Sequence, residues 1–175
     1  VVYERYNETM VGKGYALDYL LRRMEEDGMI YDGYLVFDAD NLLQKDYITQ
    51  INRAFSDGYE IVTSYRNSKN YGDSWISSGC GLWFLRETAG LNEPRHLLGT
   101  SCAVSGTGFL FSRKVLEENR GWPFHLLTED VEFSVAEILK GRRIGFCGAA
   151  EYFDEQPVDL GQSVRQRLRW SKGYL

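Results

Sequence analysis

The chain has 175 residues, a length suited to one domain, and is 43% hydrophobic and 14% aromatic, enough to build a core. That composition excludes a disordered chain, which lacks apolar and aromatic residues. Its 20 basic against 25 acidic residues leave a net charge of −5, the opposite of a nucleic-acid binder's surplus, so no nucleic-acid partner is expected.

From Tyr15 to Asp27, Leu17, Leu20, Leu21 and Met24 recur at spacings of three and four, predicting a helix that Gly28 stops. Tyr34 to Phe37 is a short apolar run, read as a strand buried on both faces as in a parallel sheet. Asp46 to Ser56 reads as a helix with Asp46 as N-cap and Ile48, Ile51 and Phe55 on one side. A second strand is expected over Glu60–Tyr65. Trp75 to Arg86 has helical character, weakened by Gly79 and Gly81. Phe109–Phe111 reads as a strand, followed by a helix over Arg113–Asn119. A further helix runs from Thr128 to Lys140 with Val131, Val135, Ile138 and Leu139 as its apolar stripe. Short strands are expected at Arg143–Cys147 and Glu151–Phe153, and a last helix from about Leu160 to the chain end. Alternating strands and helices indicate one α/β sheet domain over residues 1–175.

Cys80, Cys102 and Cys147 form no C-x-x-C pair, and only His96 and His125 accompany them. A zinc site or disulfide framework is therefore not expected, and the pattern suits a reducing compartment. No stretch approaches 18 consecutive apolar residues, so no membrane-crossing segment or signal peptide is expected.

Three clusters carry chemistry. Asp38-Ala39-Asp40 follows the first strand directly, where α/β sheets bind ligands, and its two carboxylates are hard donors suited to Mg²⁺ or Mn²⁺ on a diphosphate. A chance Asp-x-Asp is nevertheless expected in a chain of this composition. Thr128-Glu129-Asp130 opens a helix; Thr128 as N-cap and acids in the first turn explain it without function, but Asp130 at a cleft could also serve as a general base. On the last helix Gln166, Arg169 and Trp170 share a face at i, i+3 and i+4, with Leu160, Val164 and Leu168 roughly opposite for burial. An ordinary amphipathic helix would look much the same. Gly12-Lys13-Gly14 and Ser105-Gly106-Thr107-Gly108 are weaker, as phosphate-binding turn and close-approach turn respectively, and the first lacks the remainder of a P-loop.

In this order the pieces Gly12-Lys13-Gly14-Tyr15-Ala16-Leu17, Asp38-Ala39-Asp40, Gly106-Thr107-Gly108, Thr128-Glu129-Asp130 and Gln166-x-x-Arg169-Trp170 resemble the family 2 inverting glycosyltransferases, which include cellulose, chitin, hyaluronan and poly-N-acetylglucosamine synthases. The resemblance implies a GT-A-type mixed sheet flanked by helices. It implies a nucleotide-sugar donor, a UDP-sugar above all, a growing glycan as acceptor, and Mg²⁺ or Mn²⁺ as cofactor. By position, Asp38 would lie at the ribose or metal, Asp40 on the metal and Lys13 near the nucleotide or diphosphate. Gln166 and Arg169 would bind the diphosphate, Trp170 would contact the acceptor sugar and Asp130 would deprotonate its hydroxyl. Val1-Val2-Tyr3 resembles the family's third strand, so the chain is expected to lack the first strands and part of the nucleobase site. The expectation is a soluble piece with weak or no nucleotide binding, cut from a protein held at the cytoplasmic face of the membrane by segments absent here. Two other readings compete: a catalytically silent glycan-binding or assembly subunit, and an unrelated Mg²⁺-dependent nucleotidyl- or phosphoryl-transfer enzyme, which would leave the last motif unexplained.

Overall fold

The computed structural model describes residues 1–173. In chain order the elements are α1 (Lys13–Glu26), β1 (Gly33–Val36), β2 (Leu42–Leu43), α2 (Tyr47–Ser56), β3 (Ile61–Ser68), α3 (Trp75–Leu85), a π-helical turn (Arg86–Asn92) and α4 (Glu93–Leu97). There follow β4 (Phe109–Ser112), α5 (Arg113–Glu118), α6 (Glu129–Leu139), β5 (Ile144–Asp154) and α7 (Leu160–Gly173). The expected mixed α/β sheet flanked by helices is present. Its five strands lie in the order β1-β4-β3-β5-β2, with β3 and β5 parallel and the other neighbours antiparallel.

Strand alternation divides the core between the two sheet faces. Val36, Ile61, Phe109, Phe111, Ile144 and Phe146 point one way, into a cluster completed by Leu21, Trp122, Phe124 and Phe133. Val62, Leu110, Cys147 and Tyr152 point the other way, against Tyr47 and Ile51 of α2. Helices thus cover both faces. Gly14 places α1: a Cβ there would lie 2.0 Å from the Phe124 carbonyl oxygen, so only glycine lets the helix start touch that backbone.

Several expectations need correction. The Tyr34–Phe37 run is covered on both faces, as expected, since Tyr34 and Val36 join one cluster and Leu35 and Phe37 the other. It is not a parallel strand: β1 pairs antiparallel with β4 and, among the described residues, has no partner on its outer side. Val1 and Val2 form no strand and are almost fully exposed, with no neighbouring ladder to complete their backbone bonds. The two short strands expected after Arg143 are one strand, β5, bent by an irregularity opposite Ser64/Tyr65. Asp46 stands at the N-cap of α2 without capping it, because its carboxylate accepts from the Gln50 side chain at 2.8 Å, and Tyr47 is buried where Ile48 was expected.

Two apolar stripes face outward. In α6, Val135, Ile138 and Leu139 are exposed while Phe133 and Glu137 are buried. Phe133 enters an aromatic cluster with Phe109, Phe111, Trp122 and Phe124, and Glu137 can be buried because Arg142 and Lys140 pair with it. In α7, Leu160, Val164 and Leu168 are exposed; the helix docks through the face that carries Ser163 and Trp170. The expected continuation of α7 through Tyr174 and Leu175 lies outside the described residues. Cys80, Cys102 and Cys147 are buried free thiols, and burial pushes Cys102 up to about 11. Among the described residues no helix is long and apolar enough to cross a membrane.

Candidate active site

The Asp38-Ala39-Asp40 turn leaves the end of β1 and is tied down by side chains from three other strands and loops. The Asp38 amide donates to Thr107 Oγ1 at 2.9 Å and to Asn41 Oδ1 at 3.2 Å. Asn41 in turn donates to Asp154 at the end of β5, at 3.1 Å. Asp154 also accepts from Arg66 Nε at 2.9 Å and from Gln156 Nε2 at 3.1 Å. Burying Arg66 in a strand is costly, but its guanidinium pairs with Asp154, donates to the Ser105 carbonyl at 3.1 Å and stacks 3.5 Å from the centroid of Phe84. Gly106 and Gly108, at φ +76° and +64°, let the neighbouring turn fold back over Tyr152, whose ring would lie 2.1 Å from a Cβ on Gly108.

Lys13, at the start of α1, links two of these pieces. Its ammonium pairs with the Asp38 carboxylate and donates to the Gly106 carbonyl. Asp130, in the first turn of α6, lies beside the same turn, 3.5 Å from where a Gly106 Cβ would stand. Burial lifts the Asp130 carboxyl above its ordinary value, opposed by the Val131 amide and by the charges of Lys13 and Arg66. Glu129 is lifted as well, burial again leading. Thr128 does not cap α6: its hydroxyl donates 3.0 Å to the Gly173 carbonyl and so ties the end of α7 to the start of α6.

A cleft of about 520 Å³ opens between these elements, lined by Lys13, Asp38 and Asp130 together with Gln166, Arg169 and Trp170 of α7. Five of the six expected positions beyond Asp130 thus meet it in one space. Asp40 does not line this cleft; it is exposed on the rim, where its carbonyl accepts from Lys69 at 3.0 Å. Among the described residues no three His, Cys, Asp or Glu side chains gather as a ready metal cage. Two neighbouring carboxylates suit a hard cation that takes its remaining oxygens from a diphosphate, the usual habit of Mg²⁺.

Cleft residues not anticipated from the sequence include Arg66, Trp83, Glu87 and His125. Arg66 carried a signal, since a basic residue in a strand demands a buried partner. His125 stacks face to face on Tyr15, with centroids 4.2 Å apart. Trp83 and Glu87 lie where α3 passes into the π-helical turn, a wide turn that no hydrophobic periodicity announces. The Trp83 indole N–H donates to Glu87 at 3.1 Å, the Arg86 guanidinium lies 4.4 Å from the Trp83 ring centroid, and Phe84 meets Trp170 edge to face.

Residues 1–173 match the family described as Glycosyltransferase like family 2. The chain is similar to the probable glycosyltransferase YdaM of Bacillus subtilis, 25% identical over 80% of this chain and 30% of the relative. A probable glycosyltransferase of Sulfolobus acidocaldarius is 26% identical over 65% of this chain and 24% of the relative. The poly-beta-1,6-N-acetyl-D-glucosamine synthase of Staphylococcus aureus is 24% identical over 82% of this chain and 35% of the relative. The chain therefore spans between 24% and 35% of the length of these curated relatives.

Proposed function

The chain belongs to glycosyltransferase-like family 2, and from that premise we propose that it is the core of an inverting, nucleotide-sugar-dependent transferase that extends a glycan with Asp130 as base. The observation that carries this reading is the meeting of Lys13, Asp38, Asp130, Gln166, Arg169 and Trp170 around one cleft. Similarity to a poly-beta-1,6-N-acetyl-D-glucosamine synthase favours a growing glycan as acceptor, and the motif resemblance favours a UDP-sugar as donor.

The chemistry follows from the charges. Displacement at an anomeric carbon needs a deprotonated acceptor hydroxyl and a leaving group whose growing charge is neutralised. Asp130 takes the hydroxyl proton; burial raises its affinity for protons, which strengthens it as a base. Lys13, freed from Asp38, and Arg169 face the departing diphosphate, and Gln166 orients it. Asp38 and Asp40 would hold Mg²⁺ or Mn²⁺, which when bound would add to the neutralisation of the diphosphate. Trp170 offers its indole to the acceptor ring. One displacement inverts the anomeric configuration and needs no nucleophilic side chain. By the same reading the whole protein works at the cytoplasmic face of a membrane, through segments outside this chain.

The test is transfer from a panel of nucleotide sugars by the full-length protein. Asp130→Asn is expected to lower turnover by about 10²–10⁴-fold while donor affinity is retained. Normal turnover in Asp130→Asn would remove the base assignment. Glycan binding without any turnover by the wild type would favour a silent binding subunit.

A further inference from the structure

The backbone of Asp38 is held by side chains rather than by a strand partner. Its N–H is shared between Thr107 Oγ1 at 2.9 Å and Asn41 Oδ1 at 3.2 Å. The Thr107 hydroxyl, which accepts that bond, donates its own hydrogen to Asn41 Oδ1. Asn41 Nδ2 donates to Asp154 at 3.1 Å, and the Asn41 backbone N–H donates to the Asp38 carbonyl at 3.1 Å, closing the turn. Every bond in this set has one possible direction. Asp154, a carboxylate paired with Arg66, can only accept. Asn41 must therefore turn its NH2 group toward Asp154 and its oxygen toward Asp38 and Thr107.

Thr107 is itself firmly seated. It is buried, its carbonyl accepts from the Tyr152 hydroxyl at 3.1 Å, and the following Gly108 donates its N–H to the Val36 carbonyl at 2.9 Å. Valine would fill the same buried volume with no polar group to satisfy. What the hydroxyl adds is confined to Asp38 and Asn41. Fixing the backbone of one residue costs about 1–2 kcal/mol, and here folding fixes the turn before any ligand binds, which strengthens binding. We propose that Thr107 and Asn41 are positioning residues that act through Asp38. They hold its carboxylate at the cleft in advance and so set affinity for the cation–diphosphate part of the donor, not for the acceptor. This rests on the transferase reading of the cleft.

The experiment compares variants of the full-length protein by donor and acceptor KM, by kcat, by calorimetric affinity for uridine diphosphate with Mn²⁺, and by amide hydrogen exchange over the Phe37–Leu42 turn. Thr107→Val should raise both the donor KM and the Kd for uridine diphosphate with Mn²⁺ by about tenfold. It should lower kcat at saturating donor by less than about threefold, leave the acceptor KM unchanged and speed exchange in the turn. Thr107→Ser keeps the hydroxyl and should return donor affinity to within about twofold of wild type. Asn41→Asp keeps the shape, removes the donor to Asp154 and sets two carboxylates against each other; it should weaken the donor at least as much as Thr107→Val. Melting temperatures identify the variants that fold. The proposal is overturned if folded Thr107→Val and Asn41→Asp bind the donor as wild type does, if the acceptor KM rises in parallel, or if Thr107→Ser fails to rescue. Unchanged donor affinity in these variants beside normal wild-type transfer would overturn the proposal alone, whereas a wild type with neither transfer nor affinity for uridine diphosphate would sink the transferase reading and the proposal with it.

Discussion

At the scale of single residues, the site is set by a few groups whose surroundings oppose their solution behaviour. Asp130 is half-buried, and burial favours its neutral form. Between the ordinary aspartate value of 3.8 and its raised value, the folded chain holds a proton that the unfolded chain has lost. Stability conferred by that proton is fully present below the ordinary value and is lost as pH rises through this window. Asp130→Asn should therefore melt higher than wild type at neutral pH, with the difference vanishing in acid; thermal scans across pH check this, and the acid limb of turnover should lie above the usual aspartate range. Gly14 sets two effects against each other. Alanine would gain about 1 kcal/mol of helix propensity, but its methyl would meet the Phe124 carbonyl and overpacking costs about 1–3 kcal/mol. Gly14→Ala is expected to be net destabilising in denaturant unfolding and to shift Lys13, which adjoins it.

At the scale of elements, α7 is the least embedded part of the site. It is held by Phe84 against Trp170, by Cys80 near Ser163 at 3.9 Å and by Thr128 on Gly173, while its leucines and valine face outward. Thr128→Val keeps the shape and removes the hydroxyl donor, so the Gly173 carbonyl loses that hydrogen bond. The expected result is faster amide hydrogen exchange near the end of α7 with little change in the β-sheet. An equal rise in exchange across the sheet would show that the contact is global rather than local. By contrast Leu168→Gln should change stability by less than about 0.5 kcal/mol, because the side chain is exposed.

At the scale of the whole molecule, the Arg66–Asp154–Asn41 chain joins β3, β5 and the Asp38 turn. Arg66→Met removes one partner of a buried pair and should cost about 3–5 kcal/mol in denaturant unfolding, with a parallel loss of site geometry. Asp38 and Asp40 offer only two carboxylates, and Lys13 already holds Asp38. Mn²⁺ alone should hardly shift the melting temperature of the full-length protein, whereas Mn²⁺ with a nucleoside diphosphate at about 100 times Kd should add roughly 2.7 kcal/mol. Chelation should reverse that gain, and an equal gain from Mn²⁺ alone would show a complete protein cage.

Much of this was legible along the chain because it is local. The apolar run Tyr34–Phe37, the spacing of Leu17, Leu20, Leu21 and Met24, and Gly28 at φ +71° each specify an element through near neighbours. The ordered motifs are equally legible: Lys13, Asp38, Asp130, Gln166, Arg169 and Trp170, expected together from the sequence, line one cleft, and the family follows from residues 1–173. What the tertiary structure alone decided was which faces turn inward. Hydrophobic periodicity placed Val135, Ile138, Leu160 and Leu168 in the core, yet Glu137 is buried in their stead in α6 because Arg142 and Lys140, brought near by the fold, neutralise it. Asp40 stays on the rim although Asp38 enters the cleft, since alternation along an extended chain does not survive a turn pinned by Asn41 and Thr107. Trp83 and Glu87 are a local i, i+4 pair, but what brings them to the cleft is the docking of α3 on α7 through Phe84 against Trp170 and Cys80 near Ser163, contacts between residues far apart in the chain.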